Sequence, residues 1–112
     1  MIAFKNPEFQ RFEPGELVQH RRYGYRGVVV EVDDYCQASD EWYEKNNTQP
    51  ARDQPWHHVL VDGSTSITYA ASTSLVADDS KEMIRHPLVP HFFEDFDGEK
   101  YVRNDKPWPT SV

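Results

Sequence analysis

The densest apolar run in this chain, Val28-Val29-Val30 with Val32 just beyond, consists wholly of β-branched residues and lies between turn-forming positions. Such side chains lose rotamer freedom in a helix and pack well on a pleated surface, so the run dictates a buried strand. The rest of the chain follows the same logic, as short apolar runs cut by Gly, Pro, Asn and Asp. Gly15 to His20 alternates, with Leu17 facing opposite to Val18, and reads as a first strand. Arg21-Arg22-Tyr23-Gly24 is a turn, in which Gly24 supplies a positive φ, and Tyr25 to Val32 is the second strand. Trp56 to Val61 and Ile67 to Ala71 form a hairpin around Asp62-Gly63-Ser64, and a short element follows at Ser74-Leu75-Val76. His86-Pro87-Leu88-Val89-Pro90 reads as a Pro-bracketed turn. Phe92, Phe93 and Phe96 lead through Asp97-Gly98 to a last strand at Lys100-Tyr101-Val102.

One helix interrupts the strands. Ser39 is a credible N-cap for a short segment reaching Asn46, and Asp40 and Glu41 stand where the helix dipole favours acids. The tail at Lys106-Pro107-Trp108-Pro109 is too rich in proline for regular structure. This spacing predicts a mainly β fold: a small, strongly bent SH3-like barrel with one short helix and a Pro-rich C-terminal tail. An OB-like barrel is the alternative. Residues 1–11 read as an N-terminal extension, 12–103 as the barrel and 104–112 as the tail. Phe4, Phe9 and Phe12 are available to tuck onto a barrel edge.

With 112 residues the chain has room for one core. Lys plus Arg is 12 and Asp plus Glu is 19, a net charge of −7, which excludes a broadly basic nucleic-acid coat and makes any polyanion contact local. No stretch approaches the roughly 20 apolar residues of a spanning helix, so no membrane partner is expected. The N-terminal MIAFKNPEFQ lacks a charged-then-apolar signal pattern, and the single cysteine, Cys36, forms no internal disulfide. Both point to the cytoplasm.

The run from Gly15 through Arg21, Arg22, Tyr23, Gly24, Tyr25, Arg26, Gly27, Val28 and Val29 resembles the opening of the YccV-like, hemimethylated-DNA-binding domain family. The resemblance continues through Asp33, Glu41-Trp42-Tyr43, Asp53-Gln54-Pro55-Trp56-His57-His58-Val59-Leu60-Val61, Thr68-Tyr69-Ala70-Ala71 and His86-Pro87-Leu88. It covers roughly residues 12 to 103. His57 stands where relatives usually carry an aromatic residue, and the tail beyond Phe92 extends past the shorter members typified by the bacterial heat-shock protein HspQ. The resemblance implies a non-enzymatic, cytoplasmic SH3-like barrel. Two activities come with it: binding of hemimethylated duplex DNA, and a role as adaptor or specificity factor for degradation of client proteins by Lon protease in the heat-stress response.

The candidate DNA-binding residues are Arg21, Arg22, Tyr23, Tyr25 and Arg26, the one dense basic cluster of an acidic sequence. Guanidiniums hold phosphates in forked hydrogen bonds, and the tyrosines can stack on a base or sugar. Three neutralised phosphates would give a salt slope of about −2.7. The competing reading has these arginines pairing with Glu31 or Glu16 across the strands. Trp108, between Pro107 and Pro109, is the candidate partner-binding residue, able to dock on its own barrel, on a neighbouring subunit or on another protein. Exposed strand edges make a homo-oligomer compatible with the sequence.

Other constellations carry less. His57 and His58 are neighbours on a strand and point to opposite faces, and no histidine pair has zinc-finger or helical i, i+4 spacing, so no metal or other cofactor is expected. Glu94, Asp95, Asp97 and Glu99 read as a solvated rim rather than a calcium loop. Cys36 reads as a small buried residue, and Trp42, Tyr43, Trp56 and Tyr69 as core. Neither a nucleophile elbow nor a glycine-rich phosphate loop is present, and the chain is read as no enzyme.

Overall fold

A computed structural model describes residues 9–109; Phe4, most of the N-terminal extension and the last residues of the tail lie outside them. The order of elements is β1 (Leu17–His20), β2 (Arg26–Asp33), α1 (Asp40–Lys45), β3 (Trp56–Val61), β4 (Ile67–Ala71), a 3-10 turn (Ser72–Ser74), β5 (Leu75–Ala77), α2 (Val89–Phe92), β6 (Phe93–Phe96) and β7 (Tyr101–Arg103). The first five strands form one antiparallel sheet in the order β4-β3-β2-β1-β5, and β6 pairs with β7 in a separate hairpin.

That order forces the sheet to bend. β4 and β5 are its two outer strands, yet they are consecutive in the chain. The path from Ala71 to Leu75 reaches at most about 14 Å, whereas the outer strands of a flat five-stranded sheet stand roughly 19 Å apart. The sheet therefore curls until its edges face one another across the 3-10 turn, although the ladder between them stays open. The expected mainly β, strongly bent architecture is the one observed.

Curling creates two cores. Leu17, Val28, Val30 and Leu60 pack with Ile84, Phe92, Phe93 and Tyr101 beneath α2 and the β6–β7 hairpin. On the other face, Val18, Val29, Val59, Ala70 and Leu75 close around Phe12. Leu17 and Val18 do face opposite ways, and both are buried, because β1 is covered on each side. Gly15 ties the layers together. Its N–H donates to the Val29 carbonyl (2.7 Å) and its own carbonyl accepts from Tyr101 N–H (2.9 Å). Its φ is +99°, and a Cβ there would collide with the Tyr101 carbonyl, so glycine is required by both conformation and space.

Two local expectations meet different outcomes. Ser39 caps α1, its Oγ accepting the Trp42 N–H at 3.1 Å. The Pro-bracketed segment ends instead in a one-turn helix, α2, with Pro90 in its first turn, where the missing N–H costs no helical bond.

His57 holds the second core closed. It is fully buried; its Nε2 accepts the Phe12 N–H and its Nδ1–H donates to the Ala70 carbonyl, both at 3.1 Å. These two bonds fix the neutral tautomer, since a proton on Nε2 would meet a donor. Burial is the main cause that lowers the His57 pKa to about 4, opposed in part by the Ala70 bond. The folded value lies below the unfolded one, so the unfolded chain takes up the proton first, and stability present above pH 6.5 is lost as pH falls. The free energy of unfolding should drop by about 3 kcal/mol between pH 7 and pH 4 from this group. In His57→Gln, which keeps one acceptor and one donor but does not titrate, urea melts at stepped pH should lose most of the dependence between pH 6.5 and 4.5.

Candidate functional site

The β1–β2 hairpin ends in a tip built around His20. Gly24, with φ +76°, returns its N–H to the His20 carbonyl. The His20 Nδ1 accepts the backbone N–H of both Arg22 and Tyr23 at 3.1 Å. Its ring stacks on Tyr23 (4.7 Å between centroids) and tilts against Tyr25 (5.0 Å). Burial, helped by the Arg22 charge, holds His20 below the usual histidine range, which keeps Nδ1 free to accept. The turn is thus fixed by its own side chain. Arg21 and Arg22 are exposed on it, and neither makes an ion pair among the described residues. Tyr23 is 54% exposed, with the Arg22 guanidinium 5.8 Å from its ring centre.

Arg26 does not join this group. It lies on β2, where its Nε and a terminal nitrogen reach Asp78 Oδ2 at 2.9 and 2.8 Å. Its other nitrogen lies 3.4 Å from Asp62, and a further bond runs to the Glu82 carbonyl (2.7 Å). Burial pushes the Asp78 carboxyl up, but its bonds to Arg26 and Ser80 together hold it below the usual range. The guanidinium is spent on fastening the segment after β5 to the β3–β4 turn. The pairings with Glu31 or Glu16 are not observed either: Glu16 accepts the Glu13 N–H, and Glu31 accepts from Trp108.

Tyr25 is half-buried, its hydroxyl 2.7 Å from Thr68 Oγ1, and it forms part of the wall of an aromatic groove of about 650 Å³. Strands β3 and β4 and the loop carrying α1 supply the other walls, including Trp42, Trp56, His58 and Tyr69. Trp56 is buried, as expected for core. Trp42 is not: it is 38% exposed on α1, a helix with no buried residue. Its ring stands at 64° to Tyr69 and 72° to Trp56, with centroids 5.7 and 6.2 Å away. Asp33 also lines the groove. Its Oδ2 accepts the Tyr69 hydroxyl (2.6 Å) and lies 3.3 Å from His58 Nε2. Burial and the Asp33 carboxylate raise the Tyr69 pKa, so the phenol stays protonated and donates.

This groove was not among the sites expected from the sequence, although one signal of it is present there. Glu31 and Asp33 occupy alternate positions at the end of an otherwise apolar strand, and the register sets them opposite His58 and Trp56. Trp108 docks on its own barrel: its indole N–H donates to Glu31 (3.1 Å), and its ring packs on Phe92 (4.7 Å) and His58 (5.8 Å). Arg103 braces that seat, donating to the Val30 and Lys106 carbonyls while lying over Phe92. Cys36 is buried, and the acids of the β6–β7 hairpin are exposed.

The chain aligns over 93 residues, 80% of its length, with F-box only protein 21 from human, mouse and Pongo abelii at 33% identity. The aligned stretch is 15% of those relatives, so the chain matches a small part of much longer proteins. Residues 10–100, which hold the hairpin tip, the bent sheet and the groove, match the family described as hemimethylated DNA-binding protein, YccV-like, and the chain belongs to that family.

Proposed function

We propose that this protein binds duplex DNA through the tip of the β1–β2 hairpin, with Arg21 and Arg22 on phosphates and Tyr23 against a neighbouring sugar or base. The observation that carries this reading is the pair of exposed guanidiniums, with no ion pair among the described residues, on a turn already fixed by His20. A pre-organised turn binds phosphate without first having to order itself. Family membership supplies the choice of hemimethylated duplex as the target. Arg26, already committed to carboxylates, adds nothing to the phosphate count, which stands at two. The protein works as a binding module and not as an enzyme.

A second reading, an adaptor that modulates degradation by Lon protease, is favoured by the exposed carboxylates Glu94, Asp95, Asp97 and Glu99 on the β6–β7 hairpin, which suit a basic protein surface better than DNA. It predicts that adding the protein changes the degradation rate of a Lon substrate when no DNA is present; an unchanged rate removes it for that substrate.

Titration of one duplex in unmethylated, hemimethylated and fully methylated form across a salt series tests the DNA reading. Two phosphate contacts should give a slope of log K against log salt of about −1.8, with tightest binding to the hemimethylated form. Arg21→Ala with Arg22→Ala should flatten that slope and cost at least tenfold in affinity at low salt, while unfolding shifts by no more than about 0.5 kcal/mol. Unchanged affinity in the double variant, or equal weak binding to all three duplexes, overturns the reading. Arg26→Met serves as the contrast. It should lower stability by about 2 kcal/mol, because two carboxylates lose their partner, and it should leave the salt slope of the folded fraction unchanged.

A further inference from the structure

The aromatic groove adjoins the hairpin tip, with His20, Tyr23 and Tyr25 in its wall, but its inner end has a chemistry of its own. Asp33 is the one carboxylate among its described wall residues, and no lysine or arginine lines it. The Asp33 side chain is 23% exposed. Its Oδ2 is occupied by Tyr69 and His58, whereas Oδ1 accepts no hydrogen bond from a described residue. In the same groove the Trp42 ring stands at steep angles, 64° and 72°, to Tyr69 and Trp56, so rings of different orientation wall it. Ring faces carry the negative lobe of the aromatic quadrupole and attract cations, most strongly where water is partly excluded.

Each alternative occupant meets a penalty. A phosphate would face the Asp33 carboxylate in a groove that no lysine or arginine lines. A purely apolar group would desolvate a carboxylate oxygen and leave it unpaired. An ammonium group satisfies both features at once, donating to Oδ1 while its carbon-bound hydrogens lie on the rings. The groove, at about 650 Å³, is larger than one side chain needs, and Gln37, Asn46, Asn47 and Thr68 along it offer hydrogen bonds to a peptide backbone.

We infer that this groove captures a lysine side chain, free or methylated, presented by a segment of a partner polypeptide, with Asp33 as the counter-charge and Trp42 and Tyr69 as the ring faces. The site goes beyond DNA binding and does not depend on it. Trp42 gives access to a clean variant, since α1 buries none of its residues.

Indole N–H signals of Trp42 and Trp56 in heteronuclear NMR provide the readout. The probes are capped five-residue alanine peptides whose central residue is lysine, dimethyl-lysine or norleucine, together with tetramethylammonium chloride and an unmodified DNA duplex. The lysine and dimethyl-lysine peptides should shift both signals, and norleucine, of equal shape but uncharged, should bind at least about tenfold more weakly. Asp33→Asn, which keeps an acceptor for Tyr69, and Trp42→Ala should each weaken the charged peptides by about tenfold, and Trp42→Ala should leave the affinity for duplex unchanged. Equal binding of the norleucine peptide overturns the assignment, as does the absence of any shift with the peptides at millimolar concentration. Tetramethylammonium binding as tightly as the dimethyl-lysine peptide would make this a small-cation site and overturn the polypeptide partner. Shifts produced by the duplex and not by the peptides would give the groove to nucleic acid.

Discussion

Burial of β2 on both faces is the constraint from which the rest of the structure follows. Val28 and Val30 point into one core and Val29 into the other, so neither face of the strand can be left to solvent. One face is closed by curling the sheet until β4 and β5 approach. The other needs a separate lid, which the chain supplies after β5 with α2 and the β6–β7 hairpin. The close approach at Gly15 is where lid and barrel share backbone hydrogen bonds. The same strand then changes character. Its register against β3 shifts between Val29 and Glu31, a bulge that re-aims the residues beyond it. Glu31 is thereby placed at the Trp108 seat and Asp33 at the groove, while the start of the strand holds the hairpin tip.

Charge is segregated by this geometry. In the sequence, Arg21, Arg22 and Arg26 read as one basic cluster. Folding divides them, because Arg21 and Arg22 belong to the turn while Arg26 belongs to the strand, within reach of the β3–β4 turn and of the residues after β5. A strand guanidinium flanked by Asp62 and Asp78 is a structural clamp. An exposed turn guanidinium with no ion pair among the described residues remains available. The difference lies entirely in what stands across the strand.

Most of the elements were legible in the sequence, because local chemistry decides them. The β-branched run, the Gly24 and Asp97-Gly98 turns and the Ser39 cap each carry their own signal, and β3 and β4 begin and end where their apolar runs do. What escaped was long-range. Pro90 marks a turn equally well whether or not a helix follows, and only packing of Phe92 under the lid selects α2. Trp42 was expected in the core because a large aromatic ring normally gains from burial. Its helix, however, sits on a loop whose inner side is already filled by Tyr43 and Trp56. The groove joins residues from β2, α1, β3 and β4, and beyond the two acids that end β2 no local pattern announces such a meeting.

An acidic domain that binds a polyanion must keep its own carboxylates from opposing the contact. At an ionic strength near 0.15 M charges are screened over about 8 Å, so the contact proposed for the hairpin tip would be opposed only weakly by acids beyond that distance. Asp33 is placed otherwise, in a partly buried groove where screening is weak and one charge carries further. The two sites thus use opposite solutions. The hairpin puts its cations in water, where they are available but individually weak. The groove places a single carboxylate among rings, which together would offset what a matching cation loses by leaving water. Two exposed guanidiniums cannot by themselves supply tight binding. Any strong selectivity this domain exercises has to come from the partly buried groove or from the fixed shape of the tip, and both depend on β2 staying buried on its two faces.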